Sequence, residues 1–520
     1  MKREDGFGKM NHRIRAQILC CLFLCFCLSV LSCSSSVSQQ DPKESLPSHT
    51  SQEKPIDTSP ESTPKAPSLQ PPPFLSNIAS SVAPMEELLQ TSFQEPMYGF
   101  MVEEDILTAI SSTHLYHFDL SSGTLVQSIE LPYRGSSDNC FLPNHNKILY
   151  TKYNSPDDRD IHFEVIAIHD QKGTLEYTIP NSGCEEYSFS NSSIYSQMSS
   201  NRRLACFDIQ TGKKKWEATY GYLTTAALRS PTLEIDGRCY TIYWGPSDHF
   251  YVSVQNPSTG EQLQTIDLGE IQLDITYPIK SLYTYDQYLL AYGHIQEKPL
   301  QMFHVDTNSI TPVWHRNDIP ILYGQTSSVR VDSTGLYVLS EERKPGEDVL
   351  SEKNDFVLYK LNPANGKTID SQPLFRGGYI PRKIVDQGFY SWNGKPVQNH
   401  ETKNLLIKFW SVDFQTALWC AYDRDTLEKQ WEWAVDARYS QAFCAENCWI
   451  LSKEEKYSTE AYYYFIHPDD GSVLAKWETT VAEDPNFKIH DDTAHFFQDS
   501  DKNIWMLETE SGELHKLRLP

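Results

Sequence analysis

The feature that most constrains the fold is a hairpin motif that recurs along the chain. One copy reads LACFDIQTGKKKWEATYG, from Leu204 to Gly221. An apolar strand leads into a turn that runs from Asp208 to Gly212, and a polar second strand follows it. A short polar side chain at the start of such a turn accepts backbone hydrogen bonds, and glycine supplies the positive φ that ends a tight hairpin.

Nine such hairpins follow one another between residues 95 and 520. Seven of them have a turn glycine: Gly123, Gly173, Gly212, Gly260, Gly366, Gly471 and Gly512. Ile310 and Leu427 hold that place in the other two, and successive units are 39 to 61 residues apart. Each interval has room for two further strands, and four strands per unit at this period is typical of a β-propeller blade. The sequence therefore predicts an all-β fold, a single propeller of four-stranded antiparallel blades.

A tryptophan recurs at a constant offset within three of these units. Trp216, Trp314 and Trp431 lie eight residues after Asp208, Asp306 and Asp423, respectively. The equal offset predicts one common position for the indole in each blade. There it can cover a neighbouring sheet and bury a large apolar area.

These positions resemble the quinoprotein-type propeller repeat, whose pattern is roughly Ala-x-Asp-x-x-Thr-Gly-x-x-x-Trp. The matching residues are Asp208, Thr211, Gly212 and Trp216 in one unit and Ala421, Asp423, Thr426 and Trp431 in another. In four other units, the tryptophan position is held by Gln127, Tyr177, Gln264 and Asp370. Proteins of this type typically have eight blades, so the resemblance implies eight, whereas the hairpin count is nine.

The N-terminus is typical of an export signal. Five basic residues precede an uncharged apolar run at 16–32, which is shorter than the roughly 20 residues that a membrane-spanning helix needs. The run closes as LSVLSCSSS, which resembles a bacterial lipobox with Cys33 as the acylated residue. We therefore predict a lipoprotein signal peptide at 1–32 and lipidation at Cys33. A plain cleaved signal and an uncleaved anchor are the alternatives.

Residues 33–80 are rich in Ser and Pro and have almost no apolar periodicity. Such a segment cannot offset the entropy of ordering the chain, so we predict a disordered tether. The following stretch, Met85 to Phe93, is compatible with a short amphipathic helix or with a lead-in to the first strand. The propeller itself is expected over residues 95–520.

The strongly negative net charge of the chain argues against nucleic acid as a partner. The formal net charge is −24, and removal of residues 1–32, with five basic and two acidic side chains, makes it about −27. Such a surface repels phosphate backbones and anionic headgroups. Nucleic acid is therefore excluded, and the lipid would hold the protein on its membrane without a basic patch.

Seven cysteines lie beyond Cys33: Cys140, Cys184, Cys206, Cys239, Cys420, Cys444 and Cys448. The one close pair, Cys444 and Cys448, is a candidate disulfide in an oxidising compartment. No second Cys or His pair at suitable spacing completes a zinc site there. The odd number leaves at least one cysteine unpaired within the chain.

The resemblance makes an enzyme worth weighing, since quinoprotein dehydrogenases of this fold use a catalytic Asp, a calcium ion held by Glu and Asn, and a disulfide between adjacent cysteines. The adjacent cysteines of this chain are Cys20 and Cys21, inside the predicted signal. No nucleophile elbow, His-Glu-x-x-His motif or phosphate-binding glycine loop occurs either. The short motifs His467–Asp470 and His490–Asp492 are expected to be solvated turns. We predict no catalytic residue, no metal and no cofactor.

The sequence thus favours a non-catalytic, lipid-anchored propeller that serves as a protein-binding scaffold in the cell envelope. In lipobox, repeat and length, it is similar in build to the propeller lipoprotein of the outer-membrane β-barrel assembly machinery. The expected location is the cell membrane or outer membrane, facing the periplasm, and the expected partners are other envelope proteins. Two alternatives stay open: a periplasmic quinoprotein-like dehydrogenase, and a surface-exposed adhesion or sugar-binding propeller.

Overall fold

The computed structural model describes most of the chain after residue 70. The described residues are 71–78, 81–131, 140–142, 147–153, 163–170, 174–180, 186–198, 202–220, 232–271, 280–285, 287–305, 310–322, 328–348, 350–375, 377–385, 389–390, 396–398, 402–436, 440–454, 460–480 and 494–520. They belong to one compact unit. The predicted signal at 1–32 and Cys33 lie outside them. No helix in the described part is long and apolar enough to cross a membrane.

Strands dominate the described residues, and apart from one small hairpin they form nine four-stranded antiparallel sheets, which we call blades 1 to 9. The chain enters through β1 (Glu86–Ser92). Blade 1 contains β2 (Met97–Glu103), β3 (Ile106–Ser111), β4 (His114–Asp119) and β5 (Thr124–Glu130). Blade 2 contains β6 (Cys140–Leu142), β7 (Lys147–Tyr153), β8 (Phe163–Asp170) and β9 (Leu175–Pro180). Blade 3 contains β10 (Glu186–Phe189), β11 (Ser193–Met198), β12 (Arg203–Asp208) and β13 (Lys214–Thr219).

The next three blades repeat this order. Blade 4 contains β14 (Leu233–Ile235), β15 (Arg238–Trp244), β16 (His249–Gln255) and β17 (Gln262–Glu270). Blade 5 contains β18 (Lys280–Tyr285), β19 (Tyr288–Gly293), β20 (Leu300–Val305) and β21 (Ile310–Arg316). Blade 6 contains β22 (Val329–Asp332), β23 (Gly335–Glu342), β24 (Asp355–Leu361) and β25 (Thr368–Pro373).

Blade 7 carries an insertion, and blade 9 is completed by the first strand. Blade 7 contains β26 (Tyr379–Ile384), the inserted hairpin of β27 (Phe389–Tyr390) and β28 (Pro396–Gln398), then β29 (Asn404–Ser411), β30 (Ala417–Asp423) and β31 (Lys429–Val435). Blade 8 contains β32 (Ala442–Cys444), β33 (Trp449–Glu454), β34 (Glu460–Ile466) and β35 (Val473–Thr480). Blade 9 contains β36 (Ala494–Gln498), β37 (Ile504–Glu508), β38 (Glu513–Arg518) and β1. Short 3-10 turns occur at Leu75–Asn77 and Pro246–Asp248.

This arrangement confirms the predicted all-β propeller. Each hairpin counted in the sequence corresponds to one blade, so the described residues contain nine blades, one more than the resemblance implies. The fourth strand of a blade is its outer edge, as the mostly exposed side chains of β5 and β25 indicate. The first strand of each blade is therefore innermost, beside the propeller axis.

The ring is closed by a strand from the beginning of the chain. β1 pairs antiparallel with β38, with Glu86 opposite Arg518 and Ser92 opposite Glu513. The Arg518 guanidinium lies 2.6 Å from the Glu86 carboxylate. Met85 to Phe93 therefore leads into a strand and forms no helix, and the propeller begins at residue 86, before the expected 95.

The end of the predicted tether also lies on the propeller. The amide of Ala434, on β31, donates to the Pro73 carbonyl at 2.9 Å, and Leu75 is fully buried between blades 7 and 8. Further along, the Met85 amide donates to the Lys476 carbonyl on β35 at 2.8 Å. Residues 71–78, within the segment predicted as a tether, therefore belong to the folded unit, and the predicted tether before residue 71 lies outside the described residues.

The core lies between adjacent blades. One apolar cluster joins blades 1, 8 and 9, where the ring of Phe100 lies 5.6 Å from that of Phe497 and Phe118 contacts Trp505 edge-on. Comparable clusters join blades 3 and 4, 4 and 5, 5 and 6, 6 and 7, and 7 and 8. Because a sheet within the ring buries both faces against its neighbours, its middle strands are almost wholly buried, as in β19, β23 and β30.

Candidate functional site

The recurring tryptophans dock blades 3, 5 and 7 onto the blades that follow them. The Trp216 indole of blade 3 is nearly buried, and its Nε1 donates to the carbonyl of Pro257 in the β16–β17 turn at 2.8 Å. Trp314 binds Pro363 in the same way at 2.7 Å, and Trp431 binds Pro468 at 3.0 Å. The constant spacing predicts an indole that covers the neighbouring sheet, but nothing in the sequence indicates the proline carbonyl that receives it.

The docked indole also explains why glycine ends the next turn. A Cβ on Gly260, where φ is +72°, would lie 2.6 Å from Cγ of Trp216. Gly366 and Gly471 meet Trp314 and Trp431 in the same way. Where blade 6 has Asp370 at the tryptophan position, the next turn accommodates Leu427, buried with φ +54°. The size of the side chain at the tryptophan position of one blade therefore matches the space left by the turn residue of the next blade.

The turn carboxylates hold their own hairpins. Asp208 Oδ1 accepts the Thr211 amide at 2.9 Å and the Thr211 hydroxyl at 2.8 Å. Although burial raises the pKa of Asp208, these hydrogen bonds and Lys215 hold it below its ordinary value. Asp423 accepts the Thr426 amide at 3.0 Å in the equivalent turn, and Ala421 pairs with Trp431 on the neighbouring strand. Asp306 lies outside the described residues.

Cys444 and Cys448 are not joined by a disulfide, in contrast to the pairing that the sequence suggested. Cys444 packs in the cluster between blades 7 and 8, whereas Cys448 packs in the cluster that joins blades 8, 9 and 1. The two side chains therefore face opposite sides of one sheet. Burial raises the pKa of Cys444 to about 12 and that of Cys448 further, so neither is a reactive thiolate.

The short acidic-histidine motifs do not form a metal site in the described residues. No group of three His, Cys, Asp or Glu side chains there has the arrangement to hold a metal ion. His467 instead opens the β34–β35 turn, with Nδ1 3.4 Å from a carboxylate oxygen of Asp470. The second motif, His490–Asp492, lies outside the described residues.

Three exposed apolar side chains on blades 6 and 7 lie on adjoining loops. Phe375 follows β25 and is 72% exposed, while Val412 and Phe414, in the β29–β30 turn, are each 42% exposed. The Val412 amide donates to the carbonyl of Gly378 at 3.0 Å, which joins the two loops. We call Phe375, Val412 and Phe414 the apolar surface.

The β29–β30 turn holds Phe414 in an uncommon conformation. Its φ is +58°, a region that bulky residues rarely adopt, and strain of this kind clusters at functional positions. The ring packs edge-on against Trp410 at 5.8 Å, and the Arg382 guanidinium lies 4.3 Å from the Trp410 ring centre. Stacking of this kind presents Phe414 as a rigid, half-exposed anchor.

An ionised carboxylate separates the two apolar residues of the turn. Asp413 accepts the hydroxyl of Ser411 at 2.6 Å and the amide of Gln415 at 3.1 Å. These hydrogen bonds lower the pKa of Asp413, so the apolar surface carries a negative charge at neutral pH. Nothing in the sequence pattern distinguishes this turn from an ordinary polar one, so sequence analysis missed it.

The N-terminal segment arrives at the same end of blade 7 as the apolar surface. Pro73 binds Ala434 near the end of β31, and the next residue, Val435, pairs with Ala417. Ala417 is the first residue of β30, directly after the β29–β30 turn. Pro73 therefore lies at the end of blade 7 that carries the β29–β30 turn.

No protein-family model and no curated protein sequence matches this chain. Among solved structures, the chain is similar to BamB from Moraxella catarrhalis, at 11% identity and a TM-score of 0.42, over 84% of this chain and 100% of that one. It is also similar to a eukaryotic initiation factor, at 11% identity and a TM-score of 0.47, over 79% of this chain and 90% of that one. A third similar structure is the quinohemoprotein alcohol dehydrogenase ADHIIG from Pseudomonas putida HK5, at 10% identity and a TM-score of 0.40, over 84% of this chain and 78% of that one. These values say nothing of activity, ligand or partner.

Proposed function

We propose that this protein is a non-catalytic, lipid-anchored propeller of the cell envelope that binds another envelope protein. The apolar surface is the observation that carries the proposal. Exposed apolar groups in one place mark interaction sites, and rigid aromatic anchors supply much of the binding energy at such sites. The specific role proposed is a scaffold in outer-membrane protein assembly.

The partner proposed is the membrane-proximal part of a protein, and not the bilayer. With Cys33 acylated, the tether would keep the propeller within reach of proteins at the membrane. Asp413 stays ionised within the surface, and the chain carries a net charge of −24. Both features oppose insertion among anionic headgroups.

A crosslinking experiment tests the proposed surface. A photoreactive phenylalanine analogue at position 375 or 414 should crosslink to one membrane-derived protein, and the Phe375→Ser and Phe414→Ser variants should each reduce copurification of that protein at least fivefold. Ile369→Ser is the matched control, because Ile369 is 55% exposed on β25 but lies outside the surface. Equal loss in the control, or crosslinks to lipid alone, would overturn the proposed partner.

Fractionation of cells tests the anchor. Cys33→Ser should release the protein from the membrane fraction and block maturation by the lipoprotein peptidase. Ser34 follows the cysteine in place of Asp, which favours the outer membrane under the common Gram-negative sorting rule. An unchanged distribution and unchanged gel mobility of the variant would contradict lipidation.

Two measurements distinguish the alternatives. Calcium with a quinone cofactor should raise Tm if the protein is a quinoprotein enzyme, and should leave it unchanged if it is a scaffold. Labelling of intact cells with a membrane-impermeant reagent should reach a surface adhesin and not a periplasm-facing protein.

A further inference from the structure

Blade 7 has an arginine where three other blades have a proline at the second position of the outer turn. This residue, Arg424, is held firmly by its backbone. Its amide donates to the carbonyl of Lys403 at 3.1 Å. Its carbonyl accepts the Tyr337 hydroxyl at 3.0 Å and Lys360 Nζ at 2.8 Å. The side chain turns inward between blades 6 and 7 and is 5% exposed.

Arg424 and Arg330 share one buried carboxylate at this boundary. Asp332, also nearly buried, accepts Nη1 of Arg424 and, at 3.4 Å, Nε of Arg330 through the same oxygen. Its other oxygen accepts the amide and hydroxyl of Thr334 at 2.9 and 2.6 Å. Lys360 adds a third cation, and its ion-pair partner Asp425 is 83% exposed. Two guanidiniums thus share one oxygen of a buried carboxylate, and the Lys360 ammonium lies at the Arg424 carbonyl.

Two donors of Arg424 have no hydrogen-bond partner among the described residues. These are Nε and Nη2, both fully buried. They are adjacent N–H groups along one edge of the planar guanidinium, which matches the two oxygens of a carboxylate or phosphate. A buried charged donor without a partner is costly, so this edge is expected to face an acceptor.

Arg316 shows the same edge of the guanidinium with both of its donors hydrogen-bonded. Its Nε and Nη2 donate to the two carboxylate oxygens of Asp318, each at 2.7 Å. Its Nη1 donates to the carbonyl of Gly366, on the next blade, at 2.7 Å. Arg424 differs in that no carboxylate of the described chain occupies the corresponding edge.

The geometry points to a binding site for a small oxyanion, a carboxylate or a phosphate, held in bidentate fashion by Nε and Nη2 of Arg424 beside Arg330. An anion there would supply the acceptors that this edge of the guanidinium lacks. Arg330 lies on β22 of blade 6 and Arg424 in the β30–β31 turn of blade 7, so the site lies at the boundary between these two blades. The site is independent of the apolar surface and of the anchor.

Thermal unfolding of the purified protein with inorganic phosphate or formate, against chloride at equal ionic strength, tests the site. A saturable rise in Tm is expected, about 2–4 °C at a hundredfold excess over Kd. A response to phosphate alone identifies a phosphate site, a response to formate alone a carboxylate site, and a response to both the shared chemistry. Since phosphate also stabilises proteins by exclusion from their surface, only the saturable component counts.

Two lysine variants complete the test. Arg424→Lys keeps a charge near Asp332 but removes the bidentate edge, so the saturable component should disappear, whereas Arg316→Lys should retain it. If circular dichroism shows that Arg424→Lys is unfolded, Arg330→Gln serves instead and should weaken binding several-fold in isothermal titration. A saturable response that is equal in the parent and the Arg424 or Arg330 variant, or absent in the parent, would overturn the site.

Discussion

At the residue scale, the propeller depends on complementarity between a large side chain on one blade and a small one on the next. Trp216 covers the turn of blade 4, and Gly260 leaves the space that the indole fills. Leu427 illustrates the converse, because blade 6 supplies Asp370 at the docking position and a leucine then fits the turn despite its positive φ. The two positions belong to different hairpins, so neither hairpin alone accounts for its residue.

Truncation of the docked indole should be costly. Trp216→Ala removes a nearly buried ring and the hydrogen bond to Pro257, so the free energy of unfolding should fall by about 3–5 kcal/mol. Lys214→Ala, on the same strand with an exposed side chain, should change it by less than about 0.5 kcal/mol. Denaturant unfolding measures both. Equal effects would show that Trp216 does not dock as described.

A pair of glycine substitutions separates backbone strain from steric conflict. Gly260 and Gly237 have similar φ, +72° and +70°, but no atom lies within 4 Å of the position that a Cβ on Gly237 would occupy. Gly237→Ala should therefore cost about 1 kcal/mol from strain, and Gly260→Ala about 1–3 kcal/mol more because the indole must move. Chemical denaturation measures the difference, and similar losses would contradict the interblade contact.

At the scale of elements, the decisive one is β1, since it supplies the outer strand of the last blade. Leu89 lies over Gly123 of blade 1, so β1 also contributes to the boundary between the last and first blades. The segment before it crosses the outer strands of blades 8 and 7 through Pro84 and Phe74. The N-terminal segment is therefore a structural part of three blades.

Deletion of β1 should open the ring. Removal of residues 1–93 exposes the edge of β38 and the partners of Met85, Leu89 and Phe93, at a cost of about 3 kcal/mol or more. Removal of residues 1–70 is the matched control and should leave Tm nearly unchanged. Adding a peptide of residues 82–94 to the variant that lacks residues 1–93 should raise its Tm toward that of the variant that lacks residues 1–70. If both deletions unfold at the same temperature, closure by β1 does not limit stability.

At the scale of the whole molecule, the turn and interblade carboxylates govern the response to acid. The pKa is lowered at Asp119, Asp208, Asp332, Asp423 and Asp499. A depressed folded-state pKa contributes stability that is present above the unfolded value and is lost as pH falls through the folded value. The propeller should thus be stable at neutral pH. In acid, protonation of these carboxylates should destabilise several blades over the same pH range.

This acid response can be measured at Asp499, which accepts Nε1 of Trp505 and Nζ of Lys516, both at 3.0 Å. Burial raises the pKa of Asp499, but hydrogen bonds from Asn503, Lys516 and Trp505 lower it overall. Tm of the parent should fall steeply below about pH 4. Asp499→Asn should lower Tm at pH 7 and flatten the fall between pH 4 and pH 2. Parallel curves for parent and variant would exclude a role for this carboxylate.

The sequence alone determined the repeat, and with it the hairpin in each blade and the residue that docks at its boundary. Those features are local: strand alternation, a polar turn residue and a glycine all lie within about 20 residues, where backbone geometry dictates the pattern. Contacts between distant segments depended on the tertiary structure. β1 meets β38 more than 400 residues away, Asp332 meets Arg424 across 92 residues, and Cys444 and Cys448 separate because a sheet has two faces. Since such contacts follow from how blades stack and close, no local periodicity of the chain encodes them.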